Sequence, residues 1–293
     1  MVMNDKTLSI RLVILGIFVL LITLFSFLYW QDQTSANSGD GLLTVTFLDV
    51  GQGDSIFIET PDGVQMLVDG GPNNSVLREL AKQMPISDKS IDVVLATHPD
   101  KDHIGGLVDV LERYNVSNIV RTNNESETGT GEAFDLVVKK ENANVYFATV
   151  GQQLALGAST SILIFSPNGD VVDLESNTSS IVAQLRYGDI EFMLTGDAPI
   201  SIENYLSKTF GKILESEVLK LGHHGSRTSS GEIFLDTVKP NFAVVSAGKD
   251  NTYGHPHSEV VENVTKSDTS ILNTAEEGNI VFKSDGKSVW REE

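Results

Sequence analysis

The sequence predicts an α+β protein in which two β-sheets pack as a sandwich flanked by helices. Two β-rich segments, each accompanied by stretches of helical periodicity, are the first observation behind this prediction. The second is the length, because 293 residues, 40% of them hydrophobic, can bury the core of one large domain or two small ones. The third is the 25 glycines, which are typical of a protein with many loops.

The first half of the chain begins with three predicted strands. Short apolar runs bounded by Gly, Pro or Asp indicate a β-meander in "LTVTFLDV", "SIFIET" and "QMLVD". A helix is predicted next in "SVLRELAKQM", then a buried strand in "IDVVLAT" and a second helix in "IGGLVDVLERY". The segment "NESETGTGEAF" is predicted to be a polar loop.

The second half repeats this alternation of strands and helices. Strands are predicted in "TSILIFSP", "SIVAQLRYG" and "IEFMLTGD", and a helix in "ISIENYLSKTF". The last third is predicted to continue through "EVLKLGHH", "GEIFLDTV", "NFAVVSAG", "HSEVVENVTK", "SILNT" and "NIVFKS". Two β-rich halves with helices attached to each therefore predict the sandwich.

A run of 19 uncharged residues at positions 12–30 predicts a transmembrane helix, because about 20 apolar residues span a bilayer core. Lys6 and Arg11 precede it and acids follow it, so the positive-inside rule puts residues 1–11 in the cytoplasm and the rest of the chain outside. Two alternatives stay open. One is a signal peptide cleaved near Ser35, which would release a secreted protein, and the other is a buried core helix.

The rest of the chain divides into a linker and one domain. Residues 31–41 are rich in Ser, Gly, Asn and Asp, which is typical of a flexible linker, and residues 42–293 are predicted to fold. The chain has no cysteine, so any bound metal must be held by His, Asp or Glu. Its net charge of -19 disfavours nucleic-acid binding unless a local basic patch or bound cations intervene.

The stretch "LATHPDKDHIGG" is the strongest candidate for a metal site. His98 follows a predicted strand, and Asp100, Asp102 and His103 follow within one tight turn. Side chains at strand ends can converge on a ligand, and imidazoles with carboxylates suit zinc in an open site, or manganese. The alternative is that these residues only cap the following helix.

The stretch "THPDKDHIGG" resembles the H-x-H-x-D-H signature of metallo-β-lactamase-fold hydrolases, with Asp100 where most members have a second His. Three other stretches, "FLDVGQGDS", "LKLGHHGSRTS" and "YGHPHSEV", resemble the extracytoplasmic domain of ComEC-type DNA-uptake proteins and their free-standing relatives. The similarity covers about residues 42 to 290. It implies an αββα sandwich with one or two divalent metal ions, zinc or manganese, at the edge between the β-layers.

The resemblance also implies a set of metal ligands. His98 and Asp100 would bind a first ion, Asp102 and His103 a second, and Asp197 in "LTGDA" would bridge the two. The remaining ligand is expected from the pair His223 and His224, with His223 preferred. Alternation along the strand "EVLKLG" would point these two side chains to opposite faces.

The other candidate residues are assigned to catalysis, substrate binding or support of the ligands. We predict catalytic roles for Asp102, His224, His255 and His257, with helix capping as the alternative for His255 and His257. The predicted substrate-binding residues are Asn177, Ser180, Ser226 and Arg227. The superfamily usually supplies another His near Asn177 and Ser180, and this chain has none from Ile104 to Gly222. Asp69 is expected to orient the metal loop, and Asp54 to support or ligate metal, with a hairpin turn as the alternative.

The resemblance implies a metal-dependent hydrolase that uses metal-activated water, most specifically a phosphodiesterase or DNA nuclease. The partners it implies are a phosphodiester substrate such as DNA, the membrane through residues 12–30, and the DNA-uptake machinery. Two alternatives belong to other classes. One is a cell-surface hydrolase of a small ester, lactone or nucleotide, and the other is a non-catalytic, metal-bound adaptor of a DNA-uptake complex.

Overall fold

A computed structural model describes residues 41–292 of the chain. The predicted cytoplasmic segment 1–11, the apolar span 12–30 and the linker up to residue 40 lie outside the described residues. Among residues 41–292, no helix is both long and apolar enough to span a bilayer.

The described residues contain fifteen strands and seven α-helices, numbered here in chain order. The strands are β1 (Leu43–Phe47), β2 (Ile56–Glu59), β3 (Gln65–Val68), β4 (Ser90–Ala96), β5 (Asn115–Arg121), β6 (Asn144–Phe147), β7 (Gln153–Leu156), β8 (Thr160–Ser166), β9 (Val182–Tyr187), β10 (Ile190–Leu194), β11 (Val218–Lys220), β12 (Phe242–Val245), β13 (Ser270–Asn273), β14 (Ile280–Ser284) and β15 (Val289–Glu292). The helices are α1 (Ser75–Gln83), α2 (Lys101–Leu111), α3 (Gly129–Lys140), α4 (Ile200–Phe210), α5 (Glu232–Val238), α6 (Ser258–Lys266) and α7 (Thr274–Glu277).

The strands form two sheets. The first has the order β15-β14-β1-β2-β3-β4-β5-β6, parallel from β3 to β6 and antiparallel elsewhere. The second has the order β13-β12-β11-β10-β9-β8-β7, parallel from β10 to β13 and antiparallel elsewhere. Both sheets thus have a parallel part whose strands end in loops on one edge.

Three layers of buried apolar side chains hold these sheets and helices together. One layer joins the inner faces of the two sheets. A second lies between the first sheet and helices α1 to α3, and a third between the second sheet and helices α4 to α6. The order of layers is therefore helix, sheet, sheet, helix, and the predicted α+β two-sheet sandwich is confirmed.

Phe282 on β14 lies at the centre of the layer between the sheets. Its ring centroid is 6.0 Å from that of Phe47 on the same sheet, and 6.1 Å and 5.3 Å from those of Phe192 and Phe242 on the other. The three pairs have the inclined geometry that aromatic rings prefer. Phe282 therefore links the two sheets.

We expect Phe282→Ala to lower the free energy of unfolding by about 3–5 kcal/mol, because it leaves a cavity where three rings meet. Urea unfolding of the full-length protein measures this loss. Val281→Ala, on the neighbouring half-buried residue, should cost about 1 kcal/mol or less. Equal losses for the two variants would contradict this account of the core.

Two sequence expectations differ from the structure. The segment predicted as a polar loop over "NESETGTGEAF" becomes helix α3 at Gly129, where the Thr128 hydroxyl accepts a hydrogen bond from the Gly131 amide at 3.2 Å. Buried Phe134 and Val138 hold this helix on the sheet, and this burial outweighs the poor helix propensity of its first turn. The sheets also do not follow the two halves of the sequence, since β14 returns to pair with β1.

Candidate metal centre

The candidate site lies where strands of both sheets end. His98 is two residues beyond β4 of the first sheet. Asp197 is three residues beyond β10 of the second sheet, and His223 and His224 follow β11 beside it. The parallel strands of the two sheets therefore bring together residues that are more than 90 positions apart in the sequence.

Helix α2 carries the middle of the motif. It begins at Lys101, so Asp102 and His103 lie in its first turn, and the prediction of a separate tight turn was wrong there. Asp100 is the N-cap residue, but its side chain makes no capping hydrogen bond. A side chain at Gly106 would collide with the backbone of residue 70, so glycine lets this turn pack closely on the loop after β3.

The buried Asp197 carboxylate is the centre of the site. Its oxygens lie 3.3 Å from Nε2 of His103 and 3.9 Å from Nε2 of His98. Nε2 of His223 and Nε2 of His224 approach the same carboxylate to 3.7 Å and 3.6 Å. Four imidazoles thus direct the same ring nitrogen at one carboxylate.

Several of these atoms are buried without a hydrogen-bond partner. They are His98 Nε2, His103 Nε2 and Asp197 Oδ1. Buried polar atoms are rarely left unpaired, because losing water costs free energy. Two ligands of one tetrahedral zinc ion, each about 2.0–2.2 Å from it, lie roughly 3.3–3.6 Å apart. The separations around Asp197, from 3.3 to 3.9 Å, are close to this range. The His/Asp cluster therefore fits a divalent metal ion.

The carboxylates Asp100 and Asp102 extend the cluster from its two ends. Asp100 lies 3.7 Å from Nε2 of His98, while Asp102 lies 3.2 Å from Nε2 of His224. Asp197 is shared between the two groups. Asp100 and Asp102 therefore add carboxylate oxygens to the His/Asp cluster on either side of Asp197.

Asp69 and Thr97 orient two of the imidazoles. The Asp69 carboxylate, on a residue with a left-handed φ of 57°, accepts hydrogen bonds from the Thr97 amide at 2.8 Å and the Thr97 hydroxyl at 2.7 Å. It also lies 2.7 Å from Nδ1 of His103, and the Thr97 oxygen lies 3.0 Å from Nδ1 of His98. Both imidazoles can therefore donate from Nδ1 and keep Nε2 for a metal.

Asp54 and Lys220 orient His224 from behind. Nδ1 of His224 is 3.1 Å from the Asp54 carboxylate and 2.9 Å from the carbonyl oxygen of Ser246. The fully buried Lys220 ammonium donates to Asp54 at 2.8 Å and to the Leu221 carbonyl at 2.8 Å. Lys220 was not among the residues selected from the sequence, although a lysine within the apolar strand "EVLKLG" indicates a buried charge that needs a partner.

We expect Lys220→Met to cost about 3–5 kcal/mol of stability, because it leaves the Asp54 carboxylate buried without its cation. Metal affinity should also fall, by about 10- to 100-fold, since His224 loses its fixed orientation. Urea unfolding and calorimetric metal titration measure the two effects. Lys239→Met breaks an exposed pair with Glu215 and should leave the stability nearly unchanged, because solvent screens such pairs. Equal effects of the two substitutions would contradict this role for Lys220.

Burial and neighbouring charges shift the pKa values of His98 and His224 in opposite directions. Burial lowers the pKa of His98 to about 4, and the charge of His103 adds to this. Burial also acts to lower the pKa of His224, but the Asp197 and Asp54 carboxylates outweigh it and raise that pKa to about 9. A cation that binds at Nε2 of such an imidazole must displace a proton, so its affinity should fall as the pH decreases.

The turn that carries His223 and His224 differs from the strand expected there. Strand β11 ends at Lys220, and both histidines have left-handed backbone angles, with φ of 51° and 57°. Their side chains therefore approach the same carboxylate, and the prediction of opposite faces was wrong. Gly225, with φ of 81°, closes the turn where a side chain would lie 2.7 Å from Cβ of Pro256.

Comparison with known proteins identifies the family. The model of the Metallo-beta-lactamase superfamily matches residues 48–249. The chain belongs to this superfamily. The chain is 30% identical over 256 residues to ComE operon protein 3 of Bacillus subtilis, covering 82% of this chain and 33% of that protein. It is 28% identical over 250 residues to competence protein ComA of Neisseria gonorrhoeae, covering 81% and 32%. The chain thus spans about a third of the length of these relatives, and the resemblance to ComEC-type proteins is confirmed.

The fold of this chain is also similar to that of a solved structure. The metallo-beta-lactamase fold protein YhfI from Bacillus subtilis matches with a TM-score of 0.56 at 14% identity, covering 83% of this chain and 99% of that chain. At this identity the likeness concerns the fold alone.

The four residues predicted to bind substrate differ from one another in their surroundings. The Ser180 hydroxyl accepts a hydrogen bond from the Asp197 amide at 3.2 Å, so it supports the ligand loop. Asn177 begins a short 3-10 helix, and its side-chain oxygen is buried without a partner. The Ser226 hydroxyl accepts from Thr228 at 3.0 Å, whereas the Arg227 side chain is largely exposed. Their roles toward substrate stay predictions.

His255 and His257 lie beside the metal cluster. The His255 ring centroid is 5.7 Å from that of His223 and 6.2 Å from that of His224, and its Nδ1 is buried without a partner. His257 is the N-cap residue of α6, but its ring makes no capping hydrogen bond and instead accepts from the Arg227 amide at 3.1 Å. All six histidines of the chain are thereby joined by successive ring contacts.

Proposed function

We propose that the chain is a metal-dependent phosphodiesterase that cleaves DNA. The observation that carries this proposal is the convergence of four imidazole Nε2 atoms on the Asp197 carboxylate, where strands of the two sheets end. One relative is named a competence protein, and the resemblance to DNA-uptake proteins supports DNA as the substrate. Imidazole and carboxylate donors support zinc or manganese as the metal.

The proposed ligands are His98, Asp100 and Asp197 for one ion, and Asp102, His103, His224 and Asp197 for a second, with His223 also within reach of Asp197. A bound divalent ion supplies positive charge and lowers the pKa of water, so that a nucleophile is available near neutral pH. The chain's own contribution is rigidity. Asp69 and Asp54 hold the imidazoles in fixed orientations, so the site does not have to reorganise when charge develops on the phosphate.

His255 and His257 are proposed to contact the phosphate or the leaving group. His255 lies beside both His223 and His224, so its imidazole is next to the proposed ligands. The exposed guanidinium of Arg227 lies in the loop that contacts His257 and provides a phosphate donor at the edge of the site. These groups act on the substrate side, whereas Asp69 and Asp54 act behind the ligands.

The setting of this activity is proposed from residues outside the described part of the chain. Residues 12–30 would anchor the protein, with residues 1–11 in the cytoplasm and the catalytic domain outside it. There it would act on DNA together with an uptake machinery. The net charge of -19 predicts weak DNA binding outside the metal centre, with a shallow dependence on salt.

The proposal is tested by quantifying bound metal in the full-length protein, purified in mild detergent, and by assaying cleavage with added manganese. The substrates are plasmid, single-stranded DNA and bis-p-nitrophenyl phosphate. Wild type should cleave them and Asp102→Ala should not. The proposal would be overturned if the wild type bound stoichiometric metal but cleaved no phosphodiester, and if Asp102→Ala behaved in the same way. Turnover of small esters or lactones alone would favour a small-molecule hydrolase, and no turnover at all a non-catalytic adaptor.

A further inference from the structure

Tyr253 is an exposed aromatic residue next to the metal cluster. Its side chain is 65% exposed, yet its ring lies stacked on that of His255, with centroids 5.6 Å apart and planes 21° from parallel. The phenol ring therefore lies partly against an imidazole, while most of its surface is open to solvent. His255 in turn contacts His223, whose Nε2 reaches Asp197.

The loop that carries Tyr253 is braced by its own hydrogen bonds. The Asn251 amide nitrogen donates to the carbonyl oxygens of Gly248 at 2.8 Å and His255 at 2.7 Å, and its oxygen accepts from the His255 amide at 2.9 Å. The Gly248 amide donates to the Gln52 side chain at 3.0 Å, which ties the loop to the segment before Asp54. Tyr253 therefore presents its ring from a pre-organised loop, and binding against it costs little entropy.

A nucleobase is joined to its phosphate through a single sugar. If the phosphate of a phosphodiester lies at the metal cluster, a base attached to it has to lie at a short distance from the cluster, and the Tyr253 ring is separated from His223 only by His255. Aromatic side chains stack on bases of any sequence because every base has a π-face. In a duplex both faces of a base are covered by its neighbours, so only an unpaired, unstacked base can use this ring.

We propose that Tyr253, stacked on His255, forms a platform for an unpaired nucleobase next to the phosphate that is cleaved, and that the site therefore prefers single-stranded nucleic acid. This rests on the proposed phosphodiesterase function. The platform supplies affinity without positive charge, which matters in a chain with a net charge of -19. It gives Tyr253 a role in substrate binding, separate from the metal ligands.

Another exposed tyrosine provides a matched control. Tyr146 on β6 is 51% exposed, but it lines a cavity of about 370 Å³ with Val93 and Gln153 and makes no contact with the histidine cluster within the described part of the chain. Tyr146→Ala removes the same side chain from another exposed position, away from the metal centre. Tyr253→Phe keeps the aromatic face and removes only the hydroxyl group.

The test measures binding and cleavage separately in the full-length protein. Binding is followed by fluorescence anisotropy with a labelled phosphorothioate oligothymidylate in manganese, and cleavage with the matching phosphodiester strand, its duplex and an abasic strand. Tyr253→Ala should weaken binding of the oligothymidylate and lower kcat/KM on it by about 5- to 150-fold, the range for one stacked base. Tyr253→Phe and Tyr146→Ala should behave as wild type, and no variant should differ from wild type on the abasic strand.

Two results would overturn the platform. One is binding and cleavage of the oligothymidylate by Tyr253→Ala as by wild type. The other is an equal loss on the abasic strand, which would mean that Tyr253 only supports the loop. A wild type that cleaves no strand but binds the oligothymidylate through Tyr253 would overturn the phosphodiesterase function and leave Tyr253 as a base-binding residue only. The two failures are therefore distinguishable.

Discussion

Asp197→Asn should reduce metal affinity by at least about 100-fold, because groups that only orient ligands already contribute 10- to 100-fold and Asp197 faces four imidazoles directly. Asparagine has nearly the same shape, so the change removes the charge and one acceptor oxygen while leaving the packing in place. Metal titration by calorimetry and metal analysis after dialysis measure the loss. Hydrolysis of bis-p-nitrophenyl phosphate should disappear with the metal.

Asp236→Asn is the matched control for this substitution. Asp236 is an exposed carboxylate on α5, so its loss changes the net charge equally without touching the cluster. It should bind metal as wild type does. Retention of full metal affinity by Asp197→Asn would mean that the ion binds elsewhere, and the ligand set proposed around Asp197 would have to be abandoned.

Metal binding should also raise the thermal stability of the protein by a large amount. A ligand at about 1,000 times its dissociation constant stabilises the folded state by about 4 kcal/mol, since the unfolded chain does not assemble the site. For a folded part of this size that corresponds to an increase in Tm of about 8–16 °C. Scanning calorimetry of the full-length protein with manganese or zinc, and then with excess EDTA, measures the shift and its reversal.

Measuring Asp197→Asn in the same way shows whether the increase in Tm comes from metal bound at the His/Asp cluster. The variant should melt at the same temperature with and without metal, whereas Asp236→Asn should show the full increase. An equal increase in wild type and Asp197→Asn would point to metal bound at surface carboxylates. A wild-type increase below about 2 °C would be too small for tight binding at a pre-organised site.

Much of the sandwich could be predicted from the sequence, because its signals are local. Alternating apolar runs identified strands such as β4 and β10, and helical spacing identified α4 over its full length. Helix α3 was missed because its first turn is rich in Gly and Thr, and it is stabilised mainly by tertiary burial of residues such as Phe134 and Val138. The return of β14 to the first sheet is a long-range pairing, which no local pattern encodes.

The residues of the candidate site that come shortly after strands could be predicted from the sequence. These are His98, Asp197 and His224, and the structure brings them together. The direction of His223 and His224 was not predictable, because it depends on two consecutive left-handed residues rather than on strand alternation. The support of His224 by Lys220 through Asp54 was equally hidden, since it joins residues that are 166 positions apart.

An anomalous difference map from a crystal of the full-length protein grown with manganese would locate the bound ion itself. We expect a strong peak among His98, His103, Asp197 and His224, and a second peak toward either Asp100 or Asp102 if two ions bind. A map without a peak at the Asp197 carboxylate, or with manganese only at surface carboxylates, would contradict the claim that this cluster is the metal centre.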